Sequence, residues 1–186
     1  MSSWNKKRAI MRRYDTTAHL YDMRYAEEQS AKIDAALKTA KIVRSGMALD
    51  VGCGTGLLFK HVANRARATV GLDISRKTLQ QAKTRAKDYS NVHLILADAD
   101  YMPLRRNTFS NVFAITLVQN TPNPATTLNE LNRVAKKEAV IVVTGLKKSF
   151  TLNNFGELLQ AANLSIVALE DEGLQCHVAI CIKLAH

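Results

Sequence analysis

The stretch Leu49-Asp50-Val51-Gly52-Cys53-Gly54-Thr55-Gly56 constrains this chain most. The apolar run from Met47 to Val51 reads as a short buried strand, and three glycines follow at alternate positions. Leu57, Leu58, His61, Val62 and Arg65 then open a helical pattern. Strand, glycine turn and helix start make the ligand corner of a doubly wound α/β fold. Glycine is needed there because the backbone turns sharply and a ligand lies against it with no Cβ in the way.

The spacing is GxGxG, one residue short of the GxGxxG of dinucleotide binders, and Asp50 sits at the end of the strand. A carboxylate there repels a pyrophosphate and suits a cationic or amino-bearing ligand. The next strand, Ala68 to Leu72, ends in Asp73, 17 residues after Gly56. A carboxylate at that tip is the expected partner of a ribose hydroxyl pair. A third strand, Val92 to Leu96, runs into Ala97-Asp98-Ala99.

Together these residues resemble the successive motifs of the class I S-adenosylmethionine (SAM) methyltransferases. The segment from Tyr14 to Asp22 resembles the YDxxAxxYD segment of the quinone-biosynthesis-like, type 11 branch. The resemblance runs from about Tyr14 to the end. It implies an α/β, Rossmann-like fold with a doubly wound, seven-stranded, mostly parallel sheet and an antiparallel last strand. It also implies SAM as cofactor, held by Tyr14, Tyr21, Asp50, Gly52, Cys53, Gly54, Thr55, Gly56, Asp73, Ile74, Asp98, Ala99 and Val118. In that scheme Asp98 meets the adenine amino group, which a carboxylate accepts well. Packing of an N-terminal helix on the sheet accounts for Tyr14 and Tyr21 equally well.

The remaining elements follow from periodicity. Residues 1–13 read as a mobile basic arm ahead of a single domain over 14–186. An amphipathic helix is expected over 28–44, with Ile33, Ala36, Leu37, Ala40 and Val43 on one face and Ser45-Gly46 ending it. Ser75 caps a helix to Tyr89. Residues 109–118 give a fourth strand, and Pro124 starts a helix through Lys136. Where the family places a Pro-Gly-Gly turn, this chain has Lys136-Lys137-Glu138-Ala139. A strand over 139–143, a helix over 151–163 and an antiparallel pair close the chain.

The loop Gln119-Asn120-Thr121-Pro122-Asn123-Pro124 follows the fourth strand and faces the transferred methyl group. Asn120 and Thr121 are the candidate catalytic residues, aiming the hydrogen or lone pair of an acceptor nitrogen. Gln119-Asn120 replaces the His-His or Arg-Asn pair of the quinone branch. Asn120-Thr121-Pro122 resembles the (N/D)PPY loop of amino-group methyltransferases only in part. The loop has no cysteine, which excludes pyrimidine C5 methylation through a thiolate. Cys53, Cys176 and Cys181 form no CxxC pair and no His cluster accompanies them, which argues against a disulfide framework or a metal site.

The net charge of +10 is concentrated in two segments. Residues 1–13 hold Lys6, Lys7, Arg8, Arg12 and Arg13 with no acid, and residues 60–90 include Arg76, Lys77 and Lys83. With Lys147 and Lys148 near the expected site mouth, this is the footprint of a nucleic-acid binder. A solvated helix face with a basic tail shows the same pattern. No apolar run approaches the ~18 residues of a membrane span, and the basic N-terminus lacks an apolar signal core, which points to the cytoplasm. Three readings follow. The first is methylation of a base nitrogen in tRNA or rRNA, with a protein partner that helps grip RNA. The second is methylation of a quinone-like small molecule, and the third is a SAM-binding subunit without activity.

Overall fold

The structure, a computed structural model, describes residues 3–184, apart from the side chains of His19 and Tyr21. Helix α1 (Ser3–Thr39) leads into β1 (Met47–Val51), the short helix α2 (Phe59–Val62), β2 (Ala68–Asp73), α3 (Arg76–Ala86) and β3 (Val92–Leu96). The second half contributes β4 (Phe109–Ala114), α4 (Pro124–Val134), β5 (Ala135–Leu146), α5 (Leu152–Ala161), β6 (Leu164–Glu170) and β7 (Cys176–Lys183). One seven-stranded sheet runs β3-β2-β1-β4-β5-β7-β6. The first five strands in that order are parallel, and β7 lies antiparallel to both neighbours.

Strand residues alternate between two helical layers, as the two-residue period of a strand requires. Leu49, Val51, Val112, Ile141 and Val143 pack with Leu128 and Leu131 of α4 and Phe155 and Leu159 of α5. Ala48, Phe113, Val142, Val178 and Ile180 pack with Ile33 and Ala36 of α1. Central strands buried on both faces need nearly continuous apolar sequence, which is why they were legible. The central switch point lies between β1 and β4, where the connections leave in opposite directions.

Four boundaries differ from the sequence expectation. Residues 3–13 are no separate arm: they are the first turns of a single 37-residue helix. That helix stops at Thr39, and Val43 is exposed. The first half of α1 has no apolar stripe, because polar contacts hold it instead. Asp15 accepts from the Ser75 hydroxyl at 2.6 Å, and Asp22 from Thr55 at 2.6 Å and Arg85 at 2.5 Å.

Strand β4 ends at Ala114, because Thr116 adopts a left-handed φ of 59° and Val118–Asn120 form a 3-10 turn. The segment Lys136-Lys137-Glu138 is part of β5, where Glu138 at φ 60° accompanies a register shift against Phe109–Asn111. Among the described residues no helix is long and apolar enough to cross a membrane.

Candidate functional site

The glycine turn is built as its sequence requires. Gly52, Gly54 and Gly56 all have positive φ, at 72°, 54° and 83°. A Cβ placed on Gly54 meets no atom within 4 Å, so this glycine faces open space. The amides of Gly52 and Cys53 both donate to the Leu72 carbonyl, tying the turn to β2. Asp73 completes the junction: its Oδ2 accepts from the Gly54 amide and its Oδ1 from the Ser75 amide, each at 2.8 Å. A carboxylate oxygen has two lone pairs, so Asp73 keeps capacity for a ligand's hydroxyls. Burial pushes its carboxyl up, against the lowering effect of those donors.

Three cavities meet at this corner. The first, about 90 Å³, is lined by Gly52, Gly54, Asp73, Ile74, Asp98 and Ala99 below, and is covered by Lys7, Ile10 and Tyr14 of α1. The second, about 40 Å³, reaches Asp50, Cys53, Thr55 and Gln29. The third, about 330 Å³, lies between α1 and the loop after β5, with Arg13, Arg24, Lys32, Gln119 and Lys148 in its wall. Tyr14, Thr116 and Asn120 line both the first and the third.

The electrostatics are uneven. Asp50 is 3% exposed, and burial with Asp73 beside it pushes its carboxyl up to about 8. It is therefore largely protonated near neutrality, unlike the fixed negative charge expected from sequence. Lys7 lies 2.6 Å from Asp98 and 2.5 Å from Asp100. Burial lowers the Lys7 pKa, but its hydrogen bonds to the two carboxylates outweigh this and leave it raised.

Thr116 is a β-branched residue in a left-handed conformation, a costly state found where surroundings over-determine it. Here its amide donates to Thr144, its hydroxyl donates to Gln29 and accepts from Lys32, and its carbonyl accepts from Asn120.

Of the residues expected around the cofactor, Tyr14, Asp50, Gly52, Cys53, Gly54, Thr55, Asp73, Ile74, Asp98 and Ala99 line the first or second cavity. Gly56 and Val118 line none of the three. Gly56 packs on Phe59, and Val118 is buried in the core while its neighbour Leu117 faces the first cavity. The Tyr21 side chain lies outside the described residues.

The expected catalytic pair divides. Asn120 donates to the Tyr14 hydroxyl at 3.0 Å and lines both the first and the third cavities. Thr121 lines only the first, its hydroxyl donating to the Val118 carbonyl. The expected RNA-facing Lys7 is buried in its ion pairs, and Lys147 is bound to the Asp171 carbonyl and carboxylate. Sequence reasoning missed Lys7 as a site residue, and Arg24, Lys32 and Thr116 altogether, because no local spacing marks them.

The residues present fit SAM. Asp73 at the β2 tip keeps lone pairs that a nucleoside's hydroxyls could use beside the open Gly54, and the second cavity leads from the glycine turn to Asp50, a carboxyl able to take a cationic amino-acid tail. The family model of the methyltransferase domain matches residues 49–143. The chain belongs to the SAM-dependent methyltransferases. A malonyl-[acyl-carrier protein] O-methyltransferase of Marinomonas is 28% identical over 150 residues, 80% of this chain and 55% of that protein. The chain spans about half the length of the curated relatives it matches first.

Two solved methyltransferase structures share the fold at 14% identity. One is from a complex of the Haloferax volcanii Trm112 methyltransferase activator with a methyltransferase, TM-score 0.81 over 92% of this chain and 98% of that one. The other is the 1,6-didemethyltoxoflavin-N1-methyltransferase of Burkholderia thailandensis, TM-score 0.82 over 100% and 92%.

Proposed function

We propose that this methyltransferase acts on a nitrogen or oxygen of a small polar acceptor seated in the third cavity. One observation carries the reading: Tyr14, Thr116 and Asn120 are shared by the first and third cavities, so donor and acceptor meet across one layer of side chains. SAM supplies an electrophilic methyl on a sulfonium whose departure leaves a neutral thioether. The chain's part is orientation, worth roughly 7–11 kcal/mol of barrier.

Asp73 takes the ribose hydroxyls, Asp98 the adenine amino group, and Asp50 with the Gly52–Gly54 backbone the amino-acid tail. Asn120 spends its amide hydrogens on Tyr14 and the Thr116 carbonyl. Its Oδ1 is left to accept the N–H or O–H of the acceptor and so turn the reacting lone pair toward the methyl. The cover that α1 lays over the site supports a small acceptor, as does the named substrate of the Burkholderia protein.

A second reading, RNA methylation, draws on Arg8, Arg12, Arg76, Lys77 and Lys83, all exposed on α1 and α3. The activator in the Haloferax complex supports including a protein partner in either assay.

The test uses methyl-labelled SAM with an extract split into small-molecule, RNA and protein fractions. Label is expected among the small molecules. Label confined to RNA, with affinity that falls steeply as salt rises, replaces the first reading by the second.

A further inference from the structure

We infer that the third cavity selects an acceptor bearing a negative charge, a carboxylate or a phosphate ester, away from the atom that is methylated. The inference rests on the proposed methyl transfer into that cavity.

Helix α1 presents Arg13, Thr17, Arg24 and Glu28 to the cavity. Their steps of four, seven and four residues keep them on one face of the helix. Lys148 reaches the cavity from the opposite wall, in the loop between β5 and α5. Lys32 lies at the buried end, 1% exposed, 2.6 Å from Glu28 and donating to the Thr116 hydroxyl at 3.2 Å.

Among the described residues Glu28 is the one carboxylate in the lining, and Lys32 pairs with it. Among the described residues, none of Arg13, Arg24 and Lys148 lies within ion-pair distance of an acid. Three cations around one concavity raise its potential and concentrate anions there, more strongly than the same charges spread on a convex surface.

Anionic groups at the Arg13, Arg24 and Lys148 rim describe an acid or a phosphate ester. A neutral quinone supplies no such charge.

The experiment has two arms. Protein saturated with S-adenosylhomocysteine is titrated calorimetrically with benzoate, phenyl phosphate and benzamide. At least one anion is expected to bind tenfold or more tightly than benzamide. That margin should shrink severalfold in Arg24→Met and in Lys148→Met, with S-adenosylhomocysteine affinity unchanged. The tighter of the two anions identifies carboxylate or phosphate as the recognised group. Benzamide binding as well as both anions, no binding of either anion, or a margin intact in both variants overturns the inference.

In the second arm, labelled small-molecule product from the extract is passed over anion-exchange resin at neutral pH. Retention is expected. Label in unretained product defeats the anion inference while methylation of a small acceptor stands. Label confined to RNA defeats both.

Discussion

Lys7 Nζ lies 2.6 Å from Asp98 Oδ2, joining the first turns of α1 to a loop 91 residues away. The same nitrogen is 2.5 Å from Asp100 Oδ2, and Asp100 also accepts from Thr127. The carboxylate that the family resemblance assigns to the adenine amino group is thus already held by a lysine on the helix above it. The cavity beneath, at about 90 Å³, is smaller than the roughly 300–1,000 Å³ of ligand pockets. On the proposed reading, SAM entry lifts the first turns of α1 and Asp98 exchanges Lys7 for adenine.

Lys7→Met should loosen this cover. Removing one partner of a buried ion pair costs about 3 kcal/mol at the low end, and Asp100 is 4% exposed. Thermal stability should fall accordingly. Amide hydrogen exchange over residues 3–14 should accelerate, and SAM should associate faster. Unchanged exchange in that segment counts against a cover held by Lys7.

Asp50 ties ligand binding to pH. Its folded-state pKa of about 8 is above the ordinary carboxyl value, so the folded chain keeps a proton that the unfolded chain sheds. Stability contributed this way falls as pH rises from about 4 toward 8. A cationic amino group in the second cavity favours the carboxylate. SAM binding at pH 7 should therefore release a proton, seen as a calorimetric heat that changes with the ionisation heat of the buffer. Asp50→Asn should abolish that dependence and flatten the stability profile. Proton release that survives the substitution assigns it to another group.

Gly54 and Gly56 share a backbone conformation but do different work. Gly54→Ala carries left-handed strain of about 1–2 kcal/mol and meets no atom of the chain within 4 Å. Its methyl enters the cavity, so SAM affinity should drop tenfold or more while the melting temperature falls only by the several degrees that this strain costs. Gly56→Ala presses on the Phe59 ring, with Cδ2 at 2.7 Å, and should lower the melting temperature more than Gly54→Ala does. The opposite ranking in melting temperature contradicts this division of roles.

Asn120→Ala should leave SAM affinity within about twofold and lower kcat about tenfold, the value of one oriented hydrogen bond. Tyr14→Phe removes the hydroxyl that accepts from Asn120 Nδ2 but keeps the Asn120 oxygen, and should cost less. If Asn120→Ala changed SAM affinity alone, the acceptor does not lie beside it.

The sequence by itself determined the sheet, the glycine turn and the acidic strand tips. Those features depend on a few adjacent residues: Ala48, Leu49 and Val51 must be apolar because both faces are covered, and Gly52 and Gly54 must be glycine because φ is positive. Ser75 and Pro124 mark helix starts for equally local reasons, a side-chain cap and a preset φ.

Only the tertiary structure decided that the basic residues 3–13 form a helix over the cavity, since Lys7, Asp15 and Asp22 find their partners 60 or more residues away or on another element. It also packed Phe150 against Phe155 and the core, outside the lining of the third cavity. The left-handed Thr116, held by Gln29, Lys32 and Thr144, has no sequence mark either. Backbone preference and hydrophobic period are written residue by residue, whereas polar contacts between distant segments exist only once the core has brought those segments together.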